Sequence, residues 1–438
     1  MTLLLKLALV MIVGFIGGKL ARKLKLPDVS GYLVLGIILG PSVGLIFKNF
    51  DGIISSTDQT SLKFISEIAL AFIAFSIGSE FNFKIMKKIG KKINTITMYE
   101  VFFALLTVFL ILFFIPKPEP IMTGYQPFSK NNIAFGLILA SMSAATAPAA
   151  TLMVMRQYRS YGPVTKTVLP VTALDDIYGI VVFGFAISIA QMLTSTTNLP
   201  MWLIITKPFI EVFGSILIGV IMGYGLSYLA NKKDQSRDDL QVISMAAVFM
   251  IIGLIYFIND KISAQNIVLS SLLANIALGT IVSNKVKKPS NTFSAVNDFT
   301  TPFYILFFTL AGASLDLGVL KTNIIIGVLA IFYIFARGFG KYIGAHLGAR
   351  RAKAEKKVIK YLGLALLPQG GVSIGLLVIV LALVPSFHPV ISTIIMLSIL
   401  VYETSGPIFA KYAISKAGEI GGLDKLELLS SIEGIEGV

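Results

Sequence analysis

Two adjacent carboxylates, Asp175 and Asp176, follow Val171-Thr172-Ala173-Leu174 inside an apolar stretch running from about 164 to 193. They lie some ten residues, or about 15 Å at 1.5 Å per residue, from the end of that stretch. At that depth in a bilayer each acid costs on the order of 3 kcal/mol, which is hard to explain by packing alone. A buried carboxyl takes up a proton, and once ionised it is a hard oxygen ligand for a small cation. One group that binds either H⁺ or a metal ion provides the minimal chemistry of exchange. Two cations share a second apolar stretch, Arg337 and Lys341. Their i, i+4 spacing puts both on one helix face, where they can balance the aspartates. Lys341 snorkels toward an interface more readily than Arg337, so Arg337 is the expected partner of the aspartate pair.

The elements that must hold these groups are membrane helices. The chain has 438 residues, 55% hydrophobic and 14% charged, with a mean hydropathy of +0.83. That excludes a soluble enzyme. Thirteen apolar spans are predicted, near 2–24, 30–47, 62–83, 93–116, 132–155, 164–193, 203–230, 240–258, 264–284, 296–318, 322–349, 357–382 and 389–412. The loops after odd-numbered spans, with the C-terminal tail, hold 27 Lys and Arg residues, against eight on the opposite side. The positive-inside rule then puts the C-terminus in the cytoplasm and the N-terminus outside. The formal charge of +14 belongs to these loops, and no nucleic-acid partner is expected. The first span is too long for a signal peptide, and its basic residues follow it instead of preceding it. With no cysteine and only His346 and His388, thiolate chemistry, disulfides and a histidine zinc site are not expected. The glycines at 338, 340 and 344 lie within a span with no strand before them, so they read as a packing face and not a phosphate loop. Gly36, Gly40 and Gly44, and Gly219 and Gly223, read the same way.

Halving the chain exposes a repeat. Ser76 to Phe83 (SIGSEFNF) resembles Ala311 to Leu317 (AGASLDL), each placing an acid, Glu80 or Asp316, where a helix leaves the bilayer. The offset of seven spans is odd, so spans one to six and eight to thirteen are expected as two inverted repeats of six joined by span seven. Helix breaks fall at matching places. Ser141 to Ala149 (SMSAATAPA) contains Pro148, and Leu367 to Ser373 (LPQGGVS) contains Pro368, Gly370 and Gly371. Proline removes a backbone donor and frees a carbonyl one turn earlier, and irregular backbone at that depth must be buried in protein or line a cavity. Of the other acids in or near spans, Glu403 ranks second because span thirteen is the repeat-mate of span six. Glu67, Glu100, Glu211 and Asp298 are expected at interfaces or in satisfied polar contacts. Trp202 reads as an interfacial anchor, and His346 as an interfacial histidine.

Leu26 to Pro41 (LPDVSGYLVLGIILGP) resembles the second-span signature of the monovalent cation:proton antiporters, and VTALDDIYG around Asp175 and Asp176 resembles their paired-acid motif. The resemblance covers all thirteen spans and points to the double-aspartate Na⁺/H⁺ branch. It implies an all-α polytopic membrane protein with crossed broken helices, the NhaA-like antiporter fold, working as a homodimer in the plasma membrane. Spans 1–3 (residues 1–90) and 8–10 (236–320) then form a dimerisation domain. Spans 4–6 (91–195) and 11–13 (321–415) form a moving core, 196–235 a linker helix, and 416–438 a cytoplasmic tail. By position Asp176 matches the essential ion-binding aspartate, Asp175 its neighbour, and Thr146 and Thr172 the residues that supply further oxygen ligands. No cofactor is implied beyond the transported cation and proton. The implied function is exchange of H⁺ for Na⁺, or Li⁺, with K⁺/H⁺ exchange as the alternative and a sodium-coupled organic-anion symporter behind it. An intramembrane aspartyl protease is disfavoured, because adjacent residues on one helix diverge by about 100°. One departure is that this branch commonly has lysine where Arg337 aligns. Pairing of Asp175 with Arg337 leaves Asp176 to exchange one proton per cation, whereas pairing with Lys341 makes two protons possible, titrating as a coupled pair.

Overall fold

The structure is a computed structural model that describes residues 2–24, 28–45, 52–79, 83, 90–119, 121–122, 124–147, 151, 154–155, 158–194, 201–232, 235–262, 267–315, 317–318 and 323–424. Glu80, Pro148 and Asp316, and the side chain of Trp202, lie outside the described residues. Among those described, the chain forms fourteen α-helices, one short 3₁₀ turn at Pro41–Leu45 and no strand. The helices are α1 (Leu3–Lys23), α2 (Asp28–Leu39), α3 (Ser56–Gly78), α4 (Lys91–Phe113), α5 (Lys130–Met142), α6 (Pro163–Thr194) and α7 (Met201–Ala230). They continue as α8 (Arg237–Lys261), α9 (Ser271–Lys285), α10 (Pro289–Ala313), α11 (Ile324–Arg351), α12 (Lys356–Ala365), α13 (Gly371–Leu383) and α14 (His388–Ala417).

Seven of them are long and apolar enough to cross a membrane: α1, α4, α6, α7, α8, α11 and α14. Large apolar side chains on their outer faces, such as Phe335, Phe339, Phe102 and Phe213, are exposed where a soluble protein would carry polar groups. The chain is a polytopic helical membrane protein. Local sequence sets many helix starts. Ser55 with Asp58 and Ser236 with Asp239 form capping boxes on α3 and α8, and the Ser129, Ser270 and Asn323 side chains cap α5, α9 and α11.

The helices pack in two groups. One holds α1, α2, α3, α8, α9 and α10, and the other α4, α5, α6, α11, α12, α13 and α14. The helix α7 runs between them against α9 and α6, and α14 meets α2. Small residues allow the tightest contacts, as the glycine spacing predicted. A Cβ on Gly219 would stand 2.0 Å from the Ala274 carbonyl oxygen of α9. On Gly344 it would stand 2.7 Å from the Glu100 Cα, so the backbones of α11 and α4 nearly touch. That contact brings Lys341 and Glu100 together.

Candidate functional site

Two helices stop inside the second group. After α5 ends at Met142 the chain turns, and residues 145–147 are not helical. After α12 ends at Ala365, residues 367–370 are likewise irregular before α13 begins. At the second break Pro368 lacks an N–H and disfavours helical angles at Leu367. Gly370 is needed for space: a Cβ there would lie 2.4 Å from Glu403 Oε1 and 3.0 Å from the Ala147 Cβ. The two breaks are stitched to each other. Ala147 N–H donates to the Pro368 carbonyl at 3.0 Å, the Thr151 hydroxyl to the Ala365 carbonyl at 2.8 Å, and the Gln369 amide to the Met142 carbonyl at 3.4 Å.

The end of each broken helix leaves carbonyls without intrahelical donors, and these carry the negative end of the helix dipole. Arg337, wholly buried, answers both ends at once. Its Nε donates to the Ser143 carbonyl at 3.1 Å and its Nη1 to that of Leu367 at 2.6 Å. Its Nη2 donates to the Ala145 carbonyl at 2.7 Å and to that of Pro368 at 3.3 Å, and Cζ lies 4.7 Å from the Tyr402 ring centroid. The expectation that Arg337 pairs with the aspartates is corrected here. A planar fork of five N–H donors suits several converging carbonyls, whereas an ammonium acts as a point charge.

Lys341, one turn further along α11, takes the aspartate instead. Its Nζ lies 3.2 Å from Asp175 Oδ2, is ion-paired with Glu100 Oε1 and donates to the Ala144 carbonyl at the first break. Glu100, expected at an interface or in a satisfied polar contact, is fully buried and ion-paired in this network. Its position seven residues after the start of a predicted span was the available signal, and nothing in the sequence showed which helix α4 would face. Thr146 binds both aspartates: its hydroxyl donates to Asp175 Oδ2, and its N–H to Asp176 Oδ1 at 3.3 Å. Thr172, one turn before the pair, donates its proton to the Leu169 carbonyl at 2.9 Å and so is not bonded to either aspartate. Asp175 Oδ1 and Glu100 Oε2 are buried without a hydrogen-bond partner.

Among the described residues the network thus gathers three carboxyl groups, Asp175, Asp176 and Glu100, about Lys341 and Thr146, with the Arg337 guanidinium beside them on the break carbonyls. Fully ionised, it carries one negative charge in excess, which a single monovalent cation or proton cancels. Of the remaining sequence candidates, Pro368, Gly370 and Gly371 fall at the second break, and Glu403 lies against it. His346 is away from both breaks, its Nδ1 3.0 Å from the Ile359 carbonyl.

The chain resembles known proteins along nearly its whole length. It is 26% identical over 373 residues to the Na⁺/H⁺ antiporter NhaS4 of Synechocystis, covering 83% of this chain and 86% of that one. It is also 26% identical over 347 residues to a Na⁺/H⁺ antiporter of Enterococcus hirae, covering 77% and 80%. Its fold matches the structure of the sodium proton antiporter MjNhaP1 from Methanocaldococcus jannaschii with a TM-score of 0.71 at 19% identity, over 94% of this chain and 98% of that one. Residues 7–411 match the family model of the transmembrane sodium/hydrogen exchangers, and the chain belongs to that family.

Proposed function

We propose that the chain is a secondary antiporter that exchanges H⁺ for Na⁺ by alternating access, with proton and cation competing for Asp176. The observation that carries this reading is the buried cluster of three carboxyls at a helix break, Asp175, Asp176 and Glu100, which among the described residues carries one negative charge in excess of Lys341 and Arg337. An uncompensated charge at that depth is costly, so the site is stable only when loaded with a proton or a cation. Competition for one charge deficit is what couples the two fluxes. Thr146 holds the aspartates in place and, with the carboxylate, supplies oxygens of the kind that bind a small hard cation. Lys341 is the partner of Asp175, the pairing that makes a second proton possible, but it is shared with Glu100, and the single charge deficit of the cluster supports one proton per cation at Asp176. Sodium as cargo is also supported by the names of the relatives.

The finer architecture belongs to the same proposal. Thirteen spans form two inverted repeats of six, with α12 and α13 as the halves of span twelve and α14 as span thirteen. The group α4–α6 with α11–α14 is the core, which moves against a dimerisation scaffold of α1–α3 and α8–α10, and α7 is the linker. The separate packing of the two helix groups supports this division. The dimer sits in the plasma membrane, N-terminus outside and C-terminus in the cytoplasm.

The test is collapse of a respiration-generated pH gradient in everted vesicles on adding Na⁺, Li⁺ or K⁺. Wild type is expected to respond to Na⁺, and Asp176→Asn at equal expression not to. A response to K⁺ alone would replace the cargo, and no cation response between pH 6 and 9 would overturn exchange.

A further inference from the structure

Glu403 stands at the second break much as an aspartate stands at the first. It lies on α14 and is 3% exposed. Its Oε1 occupies the space that a side chain at Gly370 would need, beside the N-terminus of α13, the positive end of that helix. Its Oε2 accepts from the Ser30 hydroxyl of α2 at 3.4 Å. That long hydrogen bond crosses from one helix group to the other, where α14 meets α2.

The charged and titratable groups on the elements packed against α14 are engaged elsewhere. On α2, Asp28 pairs with Arg22. On α6, Asp175 and Asp176 are bonded at the first break, and on α11 Arg337 is spent on carbonyls and the Tyr402 ring. The lysines of α12 begin that helix at its far end, and α13 has no titratable residue. Among the described residues no cation lies within ion-pair distance of Glu403, and Ser30 is its hydrogen-bond partner. A carboxyl buried in this way needs a proton or a bound cation for neutrality.

We propose that Glu403 is a second proton-exchanging carboxyl of the transport cycle, linked through Ser30 to the scaffold so that its proton occupancy changes the contact across which the core moves. This rests on the exchanger reading above and adds a group to it. The proton on Glu403 bridges to the Ser30 oxygen or leaves when the boundary opens to water. Loss of the proton sets a carboxylate against a low-dielectric boundary and favours the arrangement that hydrates it. Transport then depends on pH through two groups, one binding the cation and one controlling movement.

The experiment compares wild type, Asp176→Asn, Glu403→Gln, Glu403→Asp and Ser30→Ala in sodium-loaded proteoliposomes, recording initial exchange rate and apparent sodium KM from pH 6 to 9. Glu403→Gln is expected to keep sodium-dependent proton movement and a KM within about twofold of wild type, but to lose one limb of the pH profile. Glu403→Asp should keep that limb, and Ser30→Ala should move its midpoint by about one pH unit, a tenfold change in proton affinity. An unchanged profile in Glu403→Gln overturns the proposal, as does equal loss of activity in Glu403→Gln and Glu403→Asp. If Glu403→Gln does not assemble, an unmoved midpoint in Ser30→Ala overturns it. Wild type without cation-driven proton movement marks failure of the exchanger reading, whereas an active wild type with an unshifted Glu403→Gln marks failure of this inference alone.

Discussion

At the first break the polar groups are charged: Asp175 and Glu100 meet Lys341, Asp176 accepts from the Thr146 N–H, and Arg337 is on the carbonyls. At the second, apart from the shared Arg337 and the buried Glu403, they are neutral. The Gln369 amide donates to the Tyr333 hydroxyl at 3.2 Å and to the Ser373 hydroxyl at 3.1 Å, and its Oε1 accepts from the Ser398 hydroxyl at 2.7 Å. Both breaks have the same backbone problem, freed carbonyls and donors far from water, and they solve it with different chemistry. Neutral groups that both donate and accept can reorient and remain satisfied. A charged network cannot, because removing one member strands the charge of another. The difference points to a division of labour in which Gln369 and its hydroxyl partners fix the geometry of the second break, and the carboxyls at the two breaks are left to load.

The sharpest way to break this comparison is to remove in turn the charged anchor, Arg337, which serves both breaks, and the neutral one, Gln369. Arg337→Leu should leave the Ser143, Ala145 and Leu367 carbonyls unanswered and lower stability by about 3–5 kcal/mol, the cost of breaking a buried charged network. Gln369→Leu should cost about 1–3 kcal/mol, since its hydroxyl partners can find each other. Thermal unfolding in detergent measures both, and equal losses would show that the neutral contacts hold as firmly as the charged one.

Next in size is Glu100→Gln, which removes one carboxylate from Lys341 and cancels the excess negative charge. Apparent sodium affinity is expected to fall about tenfold or more, or 1.4 kcal/mol. Wild-type sodium uptake should not respond to a potential clamped with a K⁺ ionophore. A rate that follows the potential would show that a second proton moves, through Asp175 and Lys341.

Gly344→Ala pushes α11 from α4, because its Cβ would stand 2.6 Å from the Tyr99 carbonyl oxygen. About 1–3 kcal/mol of stability should be lost by overpacking, with a smaller loss of sodium affinity than Glu100→Gln causes. An unaltered protein would mean that the helix contact does not set the Lys341–Glu100 pair.

The smallest effect is expected at the start of α6, the helix that carries the aspartates. Glu419, just beyond α14, accepts from the backbone N–H groups of Val164 and Thr165, both at 2.8 Å, and from the Thr165 hydroxyl at 2.7 Å. Glu419→Gln should cost about 0.5–2 kcal/mol, as loss of a helix N-cap does, with exchange retained. Loss of transport at unchanged stability would give this contact a role in the cycle.

Much of this site was legible in the residues themselves. Paired aspartates in an apolar stretch, and proline with glycines in another, are choices that hydrocarbon depth penalises, so their presence points to a buried polar centre. The glycine spacing of α11 predicted a close-packed face, and that face lies on α4. The partners were not legible. The i, i+4 spacing placed Arg337 and Lys341 on one face but could not say that the carbonyls of two broken helices converge on the first while Asp175 and Glu100 meet the second. Thr172, a ligand by position, donates its proton within its own helix, which leaves its oxygen lone pairs for a cation.

The sequence by itself determined that the chain spans a membrane, where its apolar helices break, and that acids and bases lie at depth, because each follows from the transfer energy of individual residues and from proline's missing donor. Only the tertiary structure decided which cation answers which anion and that Glu100 joins them. Those pairings depend on which helix faces come within about 3 Å of each other, and that is set by packing between segments hundreds of residues apart.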